Sequence, residues 1–90
     1  MKTYRHRTTP GFREAYKSLP EDVRKLADEQ FQLLKKDPQH NSLQFKKVKG
    51  TKNDWSVRVS RGYRALATCF GSDMVWNWIG DHTAYRRRIP

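Results

Sequence analysis

The sequence predicts an α+β domain: an N-terminal strand, a two-helix hairpin, then antiparallel strands forming one sheet packed on the helices, with a short C-terminal helix. Three observations carry this. Apolar residues recur with helical spacing up to about residue 36 and with a period of two afterwards. Prolines and capping residues punctuate the first half at Thr9–Pro10, Pro20 and Asp37–Pro38. Helices first and strands after is the order of a sheet covered by helices on one face.

Residues 2–8, KTYRHRT, alternate Tyr4 and His6 with Arg5 and Arg7, as a half-exposed strand does. Thr9 then offers an N-cap and Pro10 a first helical position, with Phe12, Ala15, Tyr16 and Leu19 on one face. A second helix starts at Pro20. Glu21 and Asp22 suit its positive end, and Val23, Leu26, Ala27, Phe31 and Leu34 form its stripe. Lys35 and Lys36 fill the last turn, and Asp37–Pro38 stops it. The strands follow as LQFKKVK, a turn from Gly50 to Asn53, DWSVRVS, YRALATCF, a GSD turn and MVWNWI. Asp81 is a natural N-cap for a helix from His82 to Arg88. The 90 residues contain no repeat or linker and read as one domain over 1–90, short enough that its core must be compact.

Charge narrows the function. Lysine and arginine number 19 against 9 acids, a net charge of +10. From Gln44 onward the bases Lys46, Lys47, Lys49, Lys52, Arg58, Arg61, Arg64, Arg86, Arg87 and Arg88 face only Asp54, Asp73 and Asp81. The second half is where a polyanion would bind: nucleic acid, an anionic membrane or an acidic protein. A single Cys69 excludes a disulfide framework and fits a reducing compartment. The N-terminus has no apolar signal core, and no stretch approaches the ~18 apolar residues of a membrane span, so a cytoplasmic protein without membrane association is expected. His6, His40 and His82 are scattered, and neither a Gly-rich phosphate loop nor a G-x-S-x-G motif is present; no metal and no cofactor are expected.

The SRG connection at 60–62 decides where two arginines go. A two-residue loop in regular register would pair Arg58 with Ala65 and put Arg58 and Arg64 on opposite faces. A three-residue loop, with Gly62 left-handed in a bulge, would pair Val59 with Tyr63, Val57 with Ala65 and Arg58 with Arg64. The second sorts the sheet: Val57, Val59, Tyr63, Ala65 and Ala67 face the helices, while Ser56, Arg58, Arg64 and Thr68 face away. Two arginines directly opposite each other destabilise a sheet unless an anion lies between them. Long stems covering an open face would give the same pattern, but the nearby lysines favour a phosphate site.

In WNWIGDHTAYRRRIP, His82 occupies the first turn of the last helix, where free N–H groups favour anions. An imidazole, with an unperturbed pKa near ~6.5, is suited to moving a proton at neutral pH; a capping or surface role is its alternative. Tyr85, three residues on, shares its face. Arg86, Arg87 and Arg88 read as a solvated, phosphate-attracting tail.

With FKKVKG, WSVRVSRGYRAL and VWNWIGDHTAY in this order and spacing, the chain resembles the RelE/ParE superfamily of bacterial toxins over nearly its whole length. The resemblance implies a toxin that enters the ribosomal A site and cuts mRNA without a metal, the ribose 2′-OH attacking the adjacent phosphate. It implies a cognate antitoxin, and the ribosome with its mRNA, as partners. Arg58 and Arg64 match the basic strand positions, His82 falls where relatives place an arginine or a histidine, and Tyr85 falls near the C-terminal aromatic. Some ribonuclease members carry a lysine where this chain has Ser56, and Lys47, Lys49 or Lys52 is the substitute this chain offers; with Arg61, Arg86, Arg87 and Arg88 these are the RNA contacts the resemblance implies. The alternative within the same resemblance is a ParE-like inhibitor of DNA gyrase that cuts nothing, because one fold serves both activities.

Overall fold

The structure, a computed structural model, describes residues 3–90; Lys2, at the start of the expected first strand, lies outside them. The elements run β1 (Arg5–Thr8), α1 (Pro10–Lys17), α2 (Glu21–Lys36), a 3-10 turn (Asn41–Leu43), β2 (Lys46–Lys47), β3 (Asp54–Ser60), β4 (Tyr63–Phe70), β5 (Asp73–Asp81) and α3 (His82–Arg88). The expected α+β order is present. Thr9 caps α1, its Oγ1 accepting from the Phe12 N–H at 3.1 Å with Pro10 just inside, while Pro20 sits at the N-cap of α2 rather than within it.

One five-stranded sheet has the order β1-β5-β4-β3-β2. The strands from β2 to β5 meander antiparallel, as expected, but β1 pairs with β5 in parallel. The reversals between β3, β4 and β5 leave β5 pointing along β1, and the α1–α2 hairpin carries the chain over the sheet between them. The strand expected at LQFKKVK shortens to two residues: Leu43, fully buried, ends the 3-10 turn, and Gln44 turns left-handed at φ 44°.

The main core lies between the helices and the sheet, with Phe12, Val23, Ala27 and Leu34 against Val57, Val59, Ala65, Met74 and Trp76. Phe31 makes an edge-to-face contact with the Trp76 ring at 5.2 Å. Leu26 departs from the expected stripe and is 40% exposed. Gln30 lies on the inward side instead, donating through Nε2 to the carbonyls of Arg58 (2.9 Å) and Ser42 (3.3 Å) and so tying α2 to β3. A second, smaller cluster forms on the other face of the sheet, where Val48, Leu66 and Tyr85 pack with Trp78 and Ile89. No helix among the described residues is long and apolar enough to cross a membrane.

Two irregularities position the site. Between Leu66↔Trp78 and Ala67↔Trp76 the register slips by one residue, so Asn77 is extra. Trp76 and Trp78, which regular alternation would place on one face, therefore enter opposite cores. The second slip corrects the hairpin expected at SRG. Ser60 pairs with Tyr63, so the loop is Arg61–Gly62, and the extra residue is Val59 within β3. Gly62 does not take the left-handed conformation; Gly50 (φ 83°) and Gly71 (φ 61°) do. The reason is local: the bulge adds the twist that a left-handed glycine would otherwise supply, and the Gly62 carbonyl is held by the His82 N–H at 2.7 Å. The consequence drawn for the arginines survives by this different route. Arg58 pairs directly with Arg64, and Val57 and Val59 on either side of Arg58 both enter the helix-side core.

Candidate nucleic-acid interface

The face of the sheet away from α1 and α2 carries the Arg58–Arg64 pair, and α3 covers only part of it. Arg64 is partly buried and pre-aimed, its Nη1 donating to the carbonyls of Ser60 (2.8 Å) and Tyr63 (3.0 Å). Its other N–H donors remain for a ligand. Burial, and then the like charge of Arg58 across the strand pair, pull the guanidinium below its ordinary pKa, against a smaller opposing influence from Tyr85. An anion placed between the two guanidinium groups would offset both effects by pairing with their charge. Among the described residues the ion pairs are Arg5–Asp73 at 2.8 Å and Arg7–Asp73 at 4.0 Å, at the β1 edge, so no carboxylate forms an ion pair with Arg58 or Arg64.

Strand β5 brings the second half of the site. Gly80 pairs with Arg64, and Tyr63 with Asp81, the residue at which β5 hands over to α3. Asp81 caps that helix, Oδ1 accepting from the Ala84 N–H at 2.8 Å, which accounts for its carboxylate structurally. His82 follows at once, half-buried, and its ring stacks on Tyr85 with centroids 5.9 Å apart and planes 28° apart. Its Nδ1 is buried with no hydrogen-bond partner among the described residues. Tyr85 is buried, its ring 6.4 Å from that of Trp78.

Gly80 and Trp78 hold this corner together. A Cβ on Gly80 would lie 2.6 Å from Trp78 Cζ2, so the indole rests on the glycine backbone. The Arg88 guanidinium lies 5.3 Å from the Trp78 ring centroid. All three tail arginines are exposed, but Arg88 rests on this ring rather than standing free. The structure therefore gathers Arg58, Arg64, His82, Tyr85 and Arg88 around Gly80. It separates Lys47, which pairs with Trp55 and belongs to the opposite side of the ladder. Lys49 and Lys52 lie in the exposed β2–β3 loop, which Gly50 brings against Pro90, with 3.3 Å between that proline ring and a would-be Cβ. Arg61 is exposed at the hairpin tip. No three His, Cys, Asp or Glu among the described residues gather as a metal set. Sequence reasoning missed Trp78 because the Asn77 bulge that turns it to this face has no sequence signature; the glycine two residues on was the one available hint.

The profile of the family described as the ParE-like toxin domain matches residues 21–87. No curated protein matches the sequence. Solved structures share the fold at low identity. The RelB–RelE antitoxin–toxin complex of Methanococcus jannaschii superimposes with a TM-score of 0.74 at 19% identity, covering 93% of this chain and 99% of that one. YafQ of E. coli strain BL21(DE3) gives 0.72 at 10%, covering 92% and 98%. The RelBE2 toxin–antitoxin complex of Mycobacterium tuberculosis gives 0.69 at 20%, covering 89% and 99%.

Proposed function

The chain belongs to the ParE-like toxin family of the RelE/ParE superfamily, and from that premise we propose that it is the toxin of a toxin–antitoxin pair that cuts mRNA on the ribosome. The observation that carries the nuclease reading is the Arg58–Arg64 pair, in ion pair with no carboxylate, with His82 and Tyr85 set beside it. Arg58 and Arg64 hold the scissile phosphate and stabilise the charge that builds on its equatorial oxygens, Arg64 already fixed by two backbone carbonyls and so needing little reorganisation. The ribose 2′-OH attacks the adjacent phosphorus and the bond to the 5′ oxygen breaks, leaving a 2′,3′-cyclic phosphate and a 5′-OH. The proton lost by the 2′-OH balances the one gained by the departing 5′ oxygen; His82 carries the transfer at one of these two oxygens, and Tyr85 orients the imidazole by stacking on it. No cofactor takes part. The cognate antitoxin is a protein whose acidic or amphipathic segment neutralises the basic face, and the site of action is the cytoplasm.

A second reading, a gyrase inhibitor without catalysis, is favoured by the description of the matching family. Single-turnover cleavage on programmed ribosomes separates the two. His82→Ala and Arg64→Ala should each lower the rate by about 10²- to 10⁴-fold with ribosome binding nearly unchanged. Cleavage by His82→Ala at the wild-type rate removes the imidazole from the mechanism; absence of any wild-type cleavage, with filamentation and DNA damage on expression, returns the gyrase reading.

A further inference from the structure

The sheet register places one more cation on the arginine face. Lys46 on β2 pairs with Ser56 on β3, and Ser56 with Leu66 on β4. Leu66 and Val48, two residues beyond Lys46, belong to the small cluster under α3, which fixes Lys46 to the same side as Arg58 and Arg64. Arg58 stands two residues along β3 from Ser56, so Lys46 is its diagonal cross-strand neighbour, ~7–8 Å away between backbones and within reach of long side chains. Lys46 is exposed, and no carboxylate among the described residues pairs with it. Lys47, adjacent in sequence and equally charged, is directed to the other side by its pairing with Trp55.

Lys46, Arg58 and Arg64 oppose one another on this face, and Asp54, which the same register places on it at the other diagonal from Lys46, is held by the Thr68 hydroxyl at 2.9 Å and forms no ion pair with any of them. The diagonal spacing is comparable with the reach between neighbouring phosphates of a single strand. We infer that Lys46 is a phosphate contact of this face, holding the phosphate next to the one gripped by Arg58 and Arg64, and that Lys47 is not. This rests on the nucleic-acid part of the proposed function and not on cleavage.

The test is binding of the full chain to a short single-stranded RNA made uncleavable by 2′-O-methylation, followed by fluorescence anisotropy between about 50 and 200 mM salt. Lys46→Ala should reduce the slope of log affinity against log salt by about 0.7, the value of one single-strand phosphate contact, while Lys46→Arg keeps the wild-type slope and Lys47→Ala leaves it unchanged. A role in covering the sheet alone would shift melting temperature without moving the slope. An unchanged slope for Lys46→Ala, or equal losses for Lys46→Ala and Lys47→Ala, overturns the assignment. A wild-type chain that does not bind the RNA overturns it together with the nucleic-acid reading. RNA binding with the Lys46 dependence, but programmed ribosomes left uncut, retains Lys46 and removes only the nuclease.

Discussion

Gly80→Ala should destabilise the protein through a single steric conflict. The added Cβ would meet Trp78 Cζ2 at 2.6 Å, Cη2 at 3.0 Å and Cε2 at 3.3 Å, all atoms of one rigid ring. That ring cannot swing aside freely, because it packs in the Val48–Leu66–Tyr85 cluster and carries the Arg88 guanidinium. Gly80 is not left-handed, so backbone strain contributes nothing and the cost is overpacking, about 1–3 kcal/mol. For a chain of this size that is a fall in Tm of about 4–24 °C. Gly62→Ala is the matched control: Gly62 is not left-handed either, a Cβ there meets nothing within 4 Å, and Tm should hold or rise slightly. Calorimetry on both variants, and on Gly80→Ala in a Trp78→Leu background, isolates the contact. A wild-type Tm for Gly80→Ala, or an equal loss without the indole, would refute the assignment of Gly80 to the Trp78 ring.

Two further outcomes follow from the same geometry. His6 accepts a hydrogen bond at Nδ1 from the Trp76 Nε1–H at 3.0 Å, and burial, then Lys35, holds its pKa below the ordinary 6.5. The unfolded chain therefore binds the proton first, so stability should fall as pH drops from about 6.5 towards the folded-state pKa and level off below it; His6→Gln should lose this component in pH-dependent melting, and an unchanged profile counts against it. Replacing Arg86 and Arg87 should flatten the salt dependence of ribosome binding without altering Tm, whereas Arg88→Ala should also cost about 0.5–1 kcal/mol of stability through the lost stacking on Trp78, seen as a lower urea midpoint.

The sequence by itself determined the elements whose causes are local. Thr9–Pro10 and Asp81 cap the helices they were expected to cap because an N-cap acts over three residues. The switch of period placed the strands of the meander, and charge pointed to the arginine face. Tertiary structure decided what depends on register. A bulge shifts every later side chain to the other face without a signature in composition, so the route by which Arg58 meets Arg64, and the separation of Trp78 from Trp76, became visible only in the pairing. The same holds for the lysines: Lys46 and Lys47 are chemically identical neighbours, and only the strand opposite them determines which one faces the arginines.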